Sequence, residues 1–165
     1  MVHLWSPWRM SYIQDQQPKR RCLFCHVLKM EDGVENLIVK RGVQAFAILN
    51  RYPYTSGHVM VVPYCHASTL DELDESICND MMRLVRQAIT AIGTVYQPDG
   101  FNVGANLGAA AGAGIAQHVH FHVVPRWGGD TNFMTSVGHA RVLPEDLCET
   151  YQRLRDAWPV DPQDV

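Results

Sequence analysis

The 165-residue chain has no long apolar run. No stretch approaches the roughly eighteen uncharged hydrophobic residues of a membrane-spanning helix. Its opening, Met1-Val2-His3-Leu4-Trp5-Ser6-Pro7-Trp8-Arg9, lacks the continuous apolar segment of a secretory signal. A surplus of either charge is missing too: 14 Lys and Arg against 17 Asp and Glu leave a net charge of −3. That balance argues against a protein whose main business is gripping nucleic acid, although a local basic patch fits within it. Cysteine is too sparse for a disulfide framework. Five are present, two of them closely spaced, a usage that suits metal binding or redox chemistry in a reducing compartment, so the cytoplasm is the expected location. What remains is 47% hydrophobic and 19% charged, an ordinary globular composition expected to form one domain over residues 1–165.

The most informative stretch is His118-Val119-His120-Phe121-His122-Val123-Val124. Strict alternation of imidazole with Val or Phe predicts a strand with all three imidazoles on one face and Val or Phe in the core. At about 3.3 Å per residue, His118 and His122 stand roughly 13 Å apart, too far for one metal to hold all three at about 2.0–2.1 Å. At least one imidazole therefore has another task. No Asp or Glu lies within the strand to serve as a base beside a catalytic metal.

The rest of the chain supplies a scaffold. Residues 1–21 form an aromatic, then basic arm (Trp5, Trp8, Tyr12, Lys19-Arg20-Arg21), read as packing on the body or as a stacking or subunit-contact element. Cys22-Leu23-Phe24-Cys25 reads as a redox pair, half a zinc site, or coincidence, and the absence of a βαβ pattern weakens the redox reading. Residues 36–63 read as three strands: Leu37 and Val39 with a turn at Arg41-Gly42, then Ala45-Phe46-Ala47-Ile48-Leu49, then His58-Val59-Met60-Val61-Val62. Short turns between them predict an antiparallel meander. Residues 70–96 carry apolar positions at three- and four-residue spacing and predict one long helix with an acidic start. A fourth strand spans 101–106, and a last amphipathic helix runs from about 144 to 158, followed by a frayed tail over 159–165. Between the fourth strand and the histidines lies Leu107-Gly108-Ala109-Ala110-Ala111-Gly112-Ala113-Gly114, a connector or a loop whose amides approach phosphate oxygens closely. It has neither the P-loop spacing nor a dinucleotide fingerprint. Arg126 is a candidate phosphate partner, and Tyr52, Tyr54 and Trp127 are candidate base contacts.

The alternating histidines resemble the signature of the histidine triad (HIT) family. The resemblance extends through Phe46-Ala47-Ile48-Leu49-Asn50-Arg51, Gly57-His58-Val59-Met60-Val61-Val62-Pro63, Asn106 and Pro125-Arg126-Trp127, and so covers nearly the whole chain. The Trp5, Trp8-Arg9-Met10 opening, Gly112-Ala113-Gly114 and the run from Pro125 to Asp130 look most like a bacterial branch that includes diadenosine tetraphosphate phosphorylases. The resemblance implies an α+β fold with a five-stranded antiparallel sheet, one long helix and a C-terminal helix, assembled as a homodimer or higher oligomer. It implies that His120 attacks the α-phosphorus of a dinucleoside polyphosphate, forming a nucleotidyl-histidine that phosphate or water releases. His122, with His118 beside it in the signature, supports that chemistry. Asn50, His58, Asn106, Gly112 and Gly114 line the nucleotide, with adenine the expected base. It also implies a structural zinc held by Cys22, Cys25, His66 and His118, which leaves His120 to attack.

Two departures sharpen the expectation. Many relatives carry Gln followed by Ser or Thr shortly before the first histidine, where this chain has Gly114-Ile115. That puts phosphoramidate hydrolysis in doubt. The uridylyltransferase branch replaces the last histidine by glutamine, whereas His122 is kept here. Other readings of the same residues are a metal-dependent hydrolase and a non-catalytic nucleotide-binding protein.

Overall fold

The computed structural model describes residues 22–131 and 144–160. The aromatic–basic arm, Phe133, Met134 and the last five residues lie outside them. Five strands form one antiparallel sheet in the order β1-β2-β3-β5-β4. They are β1 (Ile38–Arg41), β2 (Ala45–Leu49), β3 (Val59–Pro63), β4 (Gly100–Ala105) and β5 (Phe121–Arg126). Helix α1 (Leu23–Val27) precedes the sheet, α2 (Glu75–Tyr96) joins β3 to β4, and α3 (Leu147–Asp156) packs on α2 and β1.

Every residue of β2 and β3 is buried, because the sheet is covered on both faces. Helix α2 lies across β2, β3 and β5, presenting Met81, Leu84, Val85, Ala88, Ala91 and Ile92, all at most 2% exposed. Registers decide which side chains share a face: Ile48 stands opposite Met60, and Met60 opposite His122. The neighbouring row, Leu49–Val59–Val123, points the other way and is fully buried.

Four expectations shift. The histidine strand begins at Phe121, so His118, in a bend, and His120 lie in the segment before it. Continuing the β3–β5 register would set Val119 opposite Pro63, which has no amide hydrogen to donate. The ladder therefore offers the Val119 carbonyl no donor, and the Val119 N–H is bonded outside the sheet, to the carbonyl of Ala67 at 2.8 Å. The long helix starts at Glu75 rather than 70: Leu70–Glu72 is a separate 3-10 turn tied off by Glu72 accepting from Ser68 N–H and Oγ–H, and Leu73 is extended. The last helix starts at Leu147, where the Asp146 side chain caps Glu149 N–H at 2.8 Å. Leu37 lies outside β1, with φ 61°.

Candidate active site and metal cluster

Two chemical centres lie back to back, separated by one phenylalanine. Cys22 and Cys25 flank the start of α1, and His66 follows β3 by three residues. The ligating atoms of Cys22, Cys25, His66 and His118 all lie within 4.8 Å of one another, so these four residues could hold a metal ion. Cys22 Sγ is 3.2 Å and Cys25 Sγ 3.8 Å from His118 Nδ1, and Cys25 Sγ is 3.4 Å from His66 Nδ1. Tetrahedral zinc at about 2.3 Å from sulfur and 2.0–2.1 Å from nitrogen gives ligand–ligand edges of about 3.3–3.8 Å, close to the three sulfur–nitrogen separations above, so the donor set suits such an ion. His118 is fully buried. Its Nε2 is 3.0 Å from the Pro63 carbonyl, which can only accept, so the proton sits on Nε2 and the Nδ1 lone pair faces the thiols.

Phe24 stands between the centres, its ring centroid 5.4 Å from that of His118 and 5.1 Å from that of His120. On its other side is a cavity of about 320 Å³, lined by His120, His122, Asn50, Tyr52, Tyr54, Gly114 and Ile115 among others. Ligand pockets commonly begin near that volume. Its apolar wall comes from Leu23 and Val27 of α1, Met30 and Leu37 in the connection to β1, and Ile48 and Met60 of the sheet.

Hydrogen bonds assign the protons. His120 Nδ1 lies 2.9 Å from the His118 carbonyl, so Nδ1 carries the hydrogen and Nε2 the lone pair. Burial lowers the His120 pKa, opposed by that carbonyl, which keeps the ring neutral and nucleophilic at neutral pH. His58, 1% exposed, accepts the Tyr54 amide hydrogen at Nδ1, at 3.1 Å. Asn50 reinforces this from 3.3 Å, its orientation fixed because its Oδ1 accepts from Tyr52 N–H. Burial, then the neighbouring His122 and His120, hold the His58 pKa down to about 3, so the ring is neutral. Its proton must then sit on Nε2, which donates to His122 Nδ1 at 2.9 Å. His122 in turn carries its proton on Nε2, a donor beside the His120 lone pair, with the two rings 4.9 Å apart. Three imidazoles thus present one lone pair, one oriented N–H and one buried neutral ring.

Other expected site residues are placed elsewhere. His118 belongs to the thiol cluster, not to the pocket lining. Arg126 ends β5, four residues beyond His122, where Asp130 and Asn102 occupy its guanidinium. Trp127 donates Nε1–H to the Tyr96 carbonyl at 3.4 Å. Asn106 reaches the Gly112 carbonyl at 3.5 Å, and neither is in the lining. The wall from α1 was not foreseen, although Leu23, Val27 and Met30 follow helical i, i+4, i+7 spacing that marks such a face.

A model of the HIT domain matches residues 34–129. The chain is 42% identical over 170 residues to a Mycobacterium tuberculosis protein named AP-4-A phosphorylase, covering 98% of this chain and 87% of that protein. It is 32% identical over 105 residues to a Schizosaccharomyces pombe adenosine 5′-monophosphoramidase, covering 64% of this chain and 74% of that one. Among solved structures, a zinc-bound histidine triad family protein from Mycobacterium smegmatis superposes with a TM-score of 0.66 at 27% identity, over 82% of this chain and 91% of that chain.

Proposed function

The chain belongs to the HIT family, and on that premise we propose that it cleaves dinucleoside polyphosphates at the α-phosphate through a nucleotidyl-His120 intermediate. The observation that carries this reading is the pairing inside one cavity of a lone pair on His120 Nε2 with a proton on His122 Nε2. With diadenosine tetraphosphate, the His120 Nε2 lone pair attacks the α-phosphorus. The bond to the bridging oxygen breaks, and ATP departs with the electron pair. His122 Nε2–H steadies a non-bridging oxygen as charge builds, with the amide of Gly114 lining the same cavity. Inorganic phosphate then attacks the phosphorus, the P–N bond breaks, and ADP leaves; water in its place gives AMP.

A polyphosphate departs as a stable anion and needs no proton, whereas an amine leaving group does. Gly114-Ile115 offers no side-chain proton at the pocket, which favours the anhydride over the phosphoramidate. The Mycobacterium tuberculosis relative's name favours phosphate as the second nucleophile and adenine as the base. Asn50 and His58 orient the pocket, the Cys₂His₂ cluster holds a structural zinc, and the protein is a single-domain cytoplasmic homo-oligomer. Zinc, where bound, fixes Cys22, Cys25 and hence Phe24 against the histidine segment; it takes no part in the chemical steps.

The test is incubation with diadenosine tetraphosphate with and without phosphate. ADP plus ATP reports phosphorolysis, and AMP plus ATP reports hydrolysis. Absence of both products, or equal turnover by His120→Asn, overturns the reading.

A further inference from the structure

Among the described residues only Leu37 and Gln97 combine a side chain with positive φ. Gln97 is the left-handed cap of α2, an ordinary place for that conformation. Leu37 also follows a single helical turn, closed by its own N–H donating to the Gly33 carbonyl at 2.9 Å. Glycine normally fills such a position, because a Cβ there crowds the backbone. Leucine persists because a cage holds it. Asn36, 1% exposed, accepts from Gly33 N–H at 3.2 Å and from Ile38 N–H at 3.1 Å, so its carboxamide spans the residue it precedes. Its Nδ2 donates to Asp32 at 3.1 Å, and Arg41 grips Asp32 through Nε and Nη2. The Leu37 carbonyl accepts from Leu49 N–H at 3.0 Å.

The strain has a product. Leu37, 4% exposed, lines the catalytic cavity with Val27, Met30 and Ile48. Glycine would make the turn without crowding and leave that wall open. Asn36 also lines the cavity, but its carboxamide is committed to the cage. Resting on the nucleotide reading above, we propose that Leu37 is a specificity-determining residue for the nucleoside end of the substrate, gripping a flat base by shape, and that Asn36 is a positioning residue acting through it. Strained residues held by their surroundings collect at ligand clamps for this reason.

The test uses the full chain, AMP as the binding probe and diadenosine tetraphosphate for turnover. Leu37→Ala and Leu37→Gly each weaken AMP about tenfold, and the loss appears in KM rather than kcat, as for contact made equally in ground and transition states. Leu37→Gly melts at or above Leu37→Ala, by about 2–4 °C, reversing the usual order because only glycine relieves the backbone. Asn36→Ala weakens AMP in the native background yet adds less than about twofold in the Leu37→Ala background. Should Asn36→Ala fail to fold, Asn36→Ser, which keeps an oxygen for the Ile38 amide, is read in the same cycle. Native-like AMP binding by both Leu37 variants, or full additivity of the Asn36 change, overturns the proposal. A native protein that ignores AMP overturns the nucleotide reading instead, and the melting order of the two Leu37 variants still reports the strain separately.

Discussion

His118 and His120 sit two residues apart in the segment leading into β5, yet their rings face opposite ways in chemical terms. Each donates one ring proton to a backbone carbonyl, His118 through Nε2 to Pro63 and His120 through Nδ1 to His118. The lone pair is therefore left on opposite nitrogens. In His118, itself fully buried, it faces two thiols; in His120 it faces a cavity. A single carbonyl, placed on one side of the ring or the other, separates the metal ligand from the nucleophile in the function proposed above.

The largest effect expected from breaking this contrast is on turnover. His120→Ala should lower kcat on diadenosine tetraphosphate by at least about a thousandfold while metal content and melting temperature stay near native. Loss of the metal along with activity would mean that the two centres are one. Next is the cluster: His118→Ala, or exhaustive chelation, should remove bound zinc and cost on the order of 4 kcal/mol of stability, read by metal analysis and denaturant unfolding. A zinc-free protein of unchanged stability would contradict the structural assignment.

The relay sharpens the contrast further. His58→Phe removes the proton that fixes the His122 tautomer and should lower kcat by about 10- to 100-fold. It also has a pH signature. His58 is held near 3 in the fold, against about 6.5 unfolded, so the unfolded chain takes up a proton that the folded one refuses. This contribution is fully present above about pH 6.5 and is lost as pH falls towards 3, at up to about 1.4 kcal/mol per pH unit. Unfolding curves across pH 4 to 6.5 should be shallower in pH for His58→Phe than for the native chain; parallel curves would refute the buried neutral ring. The smallest effect is at Arg126. With its guanidinium taken by Asp130 and Asn102 at the far end of β5, Arg126→Ala should change kcat/KM less than about threefold. A larger loss would bring that end of the strand into the substrate site.

Much of this was legible in the chain. The alternating histidines, the apolar runs of β2 and β3 and the period of α2 announce a sheet and a helix, because their side-chain spacing is dictated locally. The ligand set of Cys22, Cys25, His66 and His118 was reached through family resemblance, and the fold brings those four together. Other features were hidden. The early end of the histidine strand depends on Pro63, a residue of the opposing strand. The role of α1 as pocket wall depends on its packing beside the histidine segment, with Phe24 between His118 and His120. The exclusion of Arg126 and Trp127 from the pocket depends on how far β5 carries them from His122.

By itself the sequence determined the elements, their order and the kinds of atoms available for chemistry, since these follow from local spacing and composition. Which imidazole nitrogen holds a proton, and which residue is strained to shape the pocket, was decided by tertiary structure. The physical reason is that both depend on groups brought from elsewhere in the chain: the Pro63 carbonyl to His118, the Tyr54 amide to His58 and the His58 ring to His122, and the Leu49 amide to Leu37. A proton goes where an acceptor waits, and only the folded chain puts the acceptor there.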